Sequence, residues 1–190
     1  QVCVSPEFTF CDACHHQTRG LLTACPECGS AEVVGETRVV GYFSKEKGSQ
    51  EFNLSCIMVM PAWQTKGYGK FLIDFSYQLS KIEEKTGSPE KPLSFFGHRA
   101  YVSYWTNRIL NLLLDNQHQQ LSIEQIARKT AITTIDIQYV LESFQILRCS
   151  NNSYFLYAEP EFLKQILDVK GRPFREVQVD KIHWVPHNLT

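Results

Sequence analysis

The sequence predicts an α+β protein in three parts: a small cysteine-rich ribbon, a core of strands and long helices, and a winged-helix-like end. Two Cys-x-x-Cys pairs, Cys11/Cys14 and Cys25/Cys28, stand ten residues apart near the start. Apolar runs with strand character at 37–43 and 52–60 lead into a helical stripe that opens near Gly67. Beyond Gln120, two short helical stretches are followed by two short strands. The units expected from these changes of pattern are residues 1–36, 37–120 and 121–190.

The composition is that of a globular chain. Of 190 residues, 43% are apolar and 21% charged, which excludes wholesale disorder and a fibrous repeat. No apolar run is long enough to cross a membrane, and no membrane partner is expected. Gln1 to Pro6 show no basic stretch followed by an apolar run, so a secretory leader is not expected. The chain opens on Gln1 and not on Met, as a fragment would. Nineteen Lys and Arg face 20 Asp and Glu, for a formal charge of −1. A protein held on nucleic acid through phosphates is usually far more basic.

The ribbon comes first. Paired Cys-x-x-Cys knuckles at this separation suit a tetrahedral zinc ion with Cys11, Cys14, Cys25 and Cys28 as its four ligands. With four thiolates the site is closed, which makes it structural and not catalytic. So short a segment has little core of its own, and the metal supplies its folding energy. His15 and His16 read as exposed neighbours of the site. Cys3 and Cys149 read as incidental thiols.

The core follows. A strand over 37–43, a polar turn at 44–50 and a second strand over 52–60 form a hairpin-like pair that Pro61 stops. A helix over about 67–85 carries Phe71, Leu72, Phe75, Leu79 and Ile82 on one stripe. Gly87-Ser88-Pro89 ends it, Lys91 to Ser94 is a loop, and a second long helix runs from His98 to about Asn116. In the last unit, Ser122 with Gln125 forms a capping box for a helix at 122–129. A helix at 134–145 and strands at 146–149 and 154–157 complete it.

The segment Gln64-Thr65-Lys66-Gly67-Tyr68-Gly69-Lys70 lies between strand and helix. Glycines there let backbone N–H groups approach an anion, and the first turn of the helix favours negative charge. A pyrophosphate is the natural guest.

Longer stretches narrow the reading. Val40 to Lys47, Asn53 to Ile57, Gln64 to Tyr77, Gly87 to Ser94, Tyr101 to Trp105 and Trp184-Val185-Pro186 resemble, in order and spacing, the MYST family of lysine acetyltransferases. The resemblance covers roughly Val40 to Pro186. It implies a GNAT-like acetyl-CoA-binding core and acetyl transfer to a lysine, on a histone tail. It implies that Gln64, Thr65, Lys66, Gly67, Tyr68, Gly69 and Lys70 hold the pyrophosphate of acetyl-CoA. Ile57, Met58 and Val59 would run beside the pantetheine and thioester, and Ser94 and Ser103 would make further coenzyme contacts. Glu90 matches the general base, and Cys56 the active-site cysteine. Residence in the nucleus and membership of a multisubunit chromatin complex are implied in the same way.

The chemistry asks for such residues. A lysine is protonated at neutral pH and cannot attack a thioester until a carboxylate takes its proton. Direct attack in a ternary complex is the expected route, with an acetyl-Cys56 intermediate as the alternative. A catalytically weakened scaffold that keeps the fold is the alternative function. A zinc-ribbon and winged-helix nucleic-acid module is a third. The last unit has equal numbers of basic and acidic residues, and helix 134–145 carries Asp136 and Glu142 but no Lys or Arg, so direct DNA binding is not expected.

The chain also departs from the family. A four-cysteine ribbon stands where a finger with three cysteines and one histidine is usual, and the family's autoacetylated lysine has no counterpart. Phe95-Phe96-Gly97 replaces Asp-Leu-Gly, and Thr65 replaces a commonly basic residue.

Overall fold

The structure is a computed structural model that describes residues 2–4, 7–11, 17–19, 33–37, 39–45, 51–117, 121–150 and 153–182. Four strands open the chain: β1 (Val2–Val4), β2 (Glu7–Cys11), β3 (Gln17–Arg19) and β4 (Val33–Thr37). β2 lies between β3 and β4, antiparallel to both, with Phe8 opposite Arg19 and Glu36. Cys14, Cys25 and Cys28 of the expected zinc site lie outside the described residues, as do His15 and His16. Cys11 enters only as the last backbone position of β2.

A second sheet has the order β1-β5-β7, with β5 (Gly41–Ser44) in the middle and β7 (Cys56–Val59) antiparallel to it. The strand expected over 37–43 therefore falls on two strands in two sheets, β4 ending at Thr37 and β5 beginning at Gly41. The run at 52–60 also divides. β6 (Phe52–Leu54) leaves the hairpin at Ser55 and pairs in parallel with β8 (Ser88–Pro89), a strand the turn-like Gly87-Ser88-Pro89 did not announce.

The α-helices among the described residues are α1 (Tyr68–Ile82), α2 (Phe95–Asp115), α3 (Ile123–Thr130), α4 (Thr134–Ser143) and α5 (Pro160–Val169). β9 (Leu147–Ser150) and β10 (Ser153–Leu156) pair antiparallel between α4 and α5. The start of α2 is set by Ser94, whose hydroxyl accepts the Gly97 N–H at 3.1 Å, three residues earlier than expected. The capping box of α3 is complete, with Ser122 N–H donating to Gln125 Oε1 at 2.8 Å. α5 was not anticipated, although Pro160 at its first turn is a recognised start signal.

α1 is buried on two faces, which a single stripe does not describe. Leu72 and Leu79 pack with Phe43 and Leu54 against the strands. Ile73 and Tyr77 pack on the other side with Tyr104, Trp105, Ile137 and Leu163 in a helical core. Tyr77 stacks on Tyr104 at 5.1 Å, and Trp105 Nε1 donates to the Tyr77 hydroxyl at 2.7 Å, so this core is both packed and hydrogen-bonded. Lys45, expected in a solvated turn, instead pairs with Glu83 just beyond α1.

The approach of sheet and helix depends on Gly41. A Cβ there would stand 2.7 Å from the Met58 carbonyl oxygen and 3.2 Å from Leu72 Cδ1. Gly41→Ala is expected to lower the unfolding free energy by about 1–3 kcal/mol, since backbone must move to admit the methyl group. Urea unfolding checks this. A loss below about 0.5 kcal/mol, smaller than any overpacking cost, would show that β5 and β7 part freely.

Candidate active site

β7 is an edge strand of its sheet among the described residues, flanked only by β5. Its side chains alternate, with Cys56 and Met58 exposed and Ile57 and Val59 half-buried. The two ends of this strand carry different chemistry.

At the Val59 end the chain turns through Pro61–Trp63 into the glycine-rich segment. Gln64 Nε2 donates to the Val59 carbonyl at 3.1 Å, which ties the segment to the strand. Thr65 and Gly67 take positive φ values of 61° and 89°, so the backbone reverses before α1 begins. No side chain caps α1, and its first helical bond runs from the Phe71 N–H to the Gly67 carbonyl. The N–H groups of Tyr68, Gly69 and Lys70 thus point out of the helix end without an intrahelical acceptor. A Cβ on Gly67 or Gly69 would meet nothing within 4 Å. Space, free donors and the positive end of the helix dipole coincide, which is what an anion such as pyrophosphate requires.

The lysines flank this opening without filling it. Lys66 Nζ donates to the Ala62 carbonyl at 3.0 Å and lies 4.8 Å over the Trp63 ring. Lys70 Nζ donates to the Arg172 carbonyl at 3.1 Å. Burial lowers the Lys70 pKa, and the nearby Arg172 guanidinium lowers it further. The Thr65 hydroxyl donates to the Gln64 carbonyl, and the Tyr68 ring packs edge-on against Trp63.

At the other end of β7 stand Cys56 and Glu90. The Cys56 thiol is free and exposed. Its N–H donates to Ser44 Oγ at 3.3 Å. Glu90 follows β8, is exposed, and its N–H donates to the Leu54 carbonyl at 2.9 Å. The β6–β8 pairing therefore brings Glu90 to the residues just before Cys56. β7 itself spans three residue steps, roughly 10 Å, from Cys56 to Val59, and the glycine-rich segment departs beyond its Val59 end.

Ser94 and Ser103 are engaged within the fold. Ser94 caps α2, and Ser103 Oγ donates to the Lys170 carbonyl at 2.6 Å. The stretch after α5 is a strap across α2. It is fastened by Ser103, by Asn107 Nδ2 to the Gly171 carbonyl at 2.7 Å, and by Lys70.

The profile of the MOZ/SAS family matches residues 29–183. The chain belongs to the MOZ/SAS family. Over 150 residues it is 45% identical to the "Putative MYST-like histone acetyltransferase 1" of Oryza sativa subsp. japonica, a span covering 78% of this chain and 33% of that protein. The "Histone acetyltransferase of the MYST family 1" of Arabidopsis thaliana is 45% identical over 150 residues, covering 78% and 34%. "Histone acetyltransferase ESA1" of Saccharomyces cerevisiae is 39% identical over 153 residues, covering 80% and 34%. The chain spans about one third of the length of the curated relatives it matches. A second profile, anaerobic ribonucleoside-triphosphate reductase, matches residues 1–54 and overlaps the MOZ/SAS match from residue 29.

Two groups of this MOZ/SAS chain that bear on the site escaped the sequence reading. One is the strap from Lys170 to Val177, which reaches Lys70 at the mouth of the cradle. The other is Asp74, fully buried on α1, which holds both Arg108 and the Val177 N–H. An acid inside an apolar helix stripe was the available signal, because a buried carboxylate always requires partners.

Proposed function

We propose that the chain transfers an acetyl group from acetyl-CoA to the side-chain amine of a lysine, on a histone tail, with Glu90 as general base. The observation that carries this is the placing of an open anion cradle and an exposed carboxylate at opposite ends of one edge strand. A long acyl carrier would lie along β7, its phosphates on the Tyr68 to Lys70 N–H groups and its acyl end beside Glu90. The open space at Gly67 and Gly69 fits that use.

Acetyl-CoA, when bound, supplies an acetyl thioester. Glu90 would accept the proton of the substrate ammonium, which frees the amine to attack the acyl carbon. The C–N bond forms, the C–S bond breaks, and the coenzyme leaves as its thiolate, which takes up the proton the amide nitrogen loses. Free N–H groups along the exposed edge of β7 hold the thioester carbonyl and stabilise the negative charge that grows on its oxygen. Ile57, Met58 and Val59 line the carrier, and Gln64 fixes the strand end from which the cradle departs. Ser94 and Ser103 act by holding α2 and the strap beside that path.

The remaining features fit the same reading. Cys11, Cys14, Cys25 and Cys28 form a donor set suited to a structural zinc ion in the 1–36 ribbon, ahead of the 37–120 core. The 121–190 unit acts as a winged-helix-like wall of the substrate groove and not as a DNA reader. The protein works in the nucleus among the subunits of a chromatin complex. No helix among the described residues is long and apolar enough to cross a membrane.

Labelled acetyl-CoA and mixed core histones test the proposal. Label is expected on histone lysines, calorimetry is expected to show saturable acetyl-CoA binding, and metal analysis to return one zinc per chain. Absence of acetyl-CoA binding would overturn the cradle. Binding without transfer to any histone would leave the scaffold function in its place.

A further inference from the structure

Beside Glu90 the surface turns apolar. An open groove is lined by Lys91, Pro92, Leu93, Phe95 and His98. Phe95 and its neighbour Phe96 are 71% and 78% exposed, although they sit together on the first turn of α2. Their rings meet edge to face at 5.6 Å, and the Arg99 guanidinium lies 5.7 Å from the Phe95 ring. His98 Nε2 and the Tyr139 hydroxyl are 2.9 Å apart, which joins this turn to α4. On α4, Ile135 and Tyr139 are also exposed, one helical turn apart on the same face. Scattered exposed apolar residues are ordinary, but several gathered around a groove mark a binding surface.

We propose that this groove takes an aromatic or branched aliphatic side chain of the substrate polypeptide, close in sequence to the acceptor lysine. The inference rests on the acetyltransferase reading above and adds a sequence preference to it. Continuity is the first argument. The groove wall begins at Lys91, the residue after Glu90, so a polypeptide that presents a lysine to Glu90 has the groove within reach. Charge is the second. The lining contains Lys91 and His98 and no carboxylate, and Arg99 covers one edge of Phe95. Lys91 is paired with Asp136 at 3.2 Å, so that acid is not free to receive a second cation. A flank rich in lysine or arginine gains nothing here, whereas an apolar side chain buries itself against Phe95 and Leu93, with Phe96 backing Phe95 edge-on. Phe95 and Phe96 are specificity residues in this account, with no part in proton transfer.

The test uses two peptides that share an acceptor lysine and differ at one position within three residues of it, phenylalanine in one and serine in the other. Their dissociation constants for the full 190-residue chain are read by fluorescence titration, and kcat/KM is read in parallel. The phenylalanine peptide is expected to bind about ten-fold tighter, the usual scale of discrimination by an apolar pocket. That ratio is expected to fall toward one in Phe95→Ser and in Phe96→Ser, and to persist in Phe96→Leu. Equal affinities in the unaltered protein, or a ratio that survives both serine variants, would overturn the proposal. So would sedimentation showing that the serine variants break a self-associated form, because a second copy would then be the occupant. Selective binding without acetyl transfer would count against the acetyltransferase reading alone, and transfer without selectivity against the groove alone.

Discussion

Glu90→Gln is expected to lower kcat for acetyl transfer by about a hundred- to ten-thousand-fold while leaving acetyl-CoA affinity unchanged. The carboxamide has nearly the shape of the carboxylate but cannot take a proton from the substrate ammonium. Glu90 is exposed at the end of β8, and its fold contact is the backbone N–H to Leu54, which the substitution keeps. The variant should therefore fold and still bind coenzyme at the far end of β7. Its residual rate should climb with pH, because the fraction of free amine rises about ten-fold per unit until the lysine pKa near 10.4 is approached. With Glu90 as the proposed base removing the proton, the unaltered protein should show a flatter rise. A variant within three-fold of the parent rate would remove Glu90 from the chemistry.

The same experiment bears on Cys56. Its thiol is free and exposed beside Ser44 at the end of β7 that Glu90 approaches, so an acetyl-cysteine route is open to it geometrically. Direct attack by the amine is the expected course, and transfer that survives Cys56→Ala would agree with it, whereas loss of transfer in a folded Cys56→Ala would favour the acetyl-cysteine route.

What the sequence showed and what it hid divide by the range of the interactions. The Ser122–Gln125 capping box and the glycine-rich approach to α1 are local, and both are where the residues indicated. The division at Ser55 was hidden because β6 finds its partner, Ser88–Pro89, more than thirty residues away. Nothing between Phe52 and Met60 says that half of an apolar run belongs to another sheet. The start of α2 was missed for a different reason. Phe95-Phe96-Gly97 lies between the expected loop at 91–94 and the expected helix from His98, and the bonds of the Gly97 and His98 N–H groups to Ser94 draw it into the first turn. α5 was legible, with Pro160 first and Phe162, Leu163, Ile166 and Leu167 in helical spacing, yet it follows so closely on a strand pair that it went unread. In the candidate site, motif residues were legible singly. Their arrangement along β7 required the pairing of β6 with β8, which no short motif encodes.

Asp74→Ala is expected to reduce the unfolding free energy by about 3–5 kcal/mol, the cost of removing one partner from a buried charge pair. The carboxylate is fully buried and accepts four hydrogen bonds. Oδ1 receives Gln78 Nε2 at 3.1 Å, the Tyr104 hydroxyl at 3.0 Å and Arg108 Nη2 at 2.9 Å, and Oδ2 receives the Val177 N–H at 2.9 Å. Without it the ion-pair partner left among the described residues to Arg108, whose side chain is 21% exposed, is Glu176, whose side chain is 61% exposed. A solvated partner of that kind contributes little. The buried Val177 N–H would lose its acceptor as well. Tyr104→Phe, which removes one of the four donors and leaves the charge pair intact, should cost only about 1 kcal/mol. Urea unfolding of both variants decides the matter, and near-equal losses would mean that the charge pair is not what the site depends on. The consequence reaches the cradle, because Val177 anchors one end of the strap whose Arg172 carbonyl holds Lys70. In the folded protein, Asp74→Ala should therefore weaken acetyl-CoA binding several-fold, where Glu90→Gln does not. An affinity unchanged by Asp74→Ala would show that Lys70 and the helix end keep their geometry without the strap.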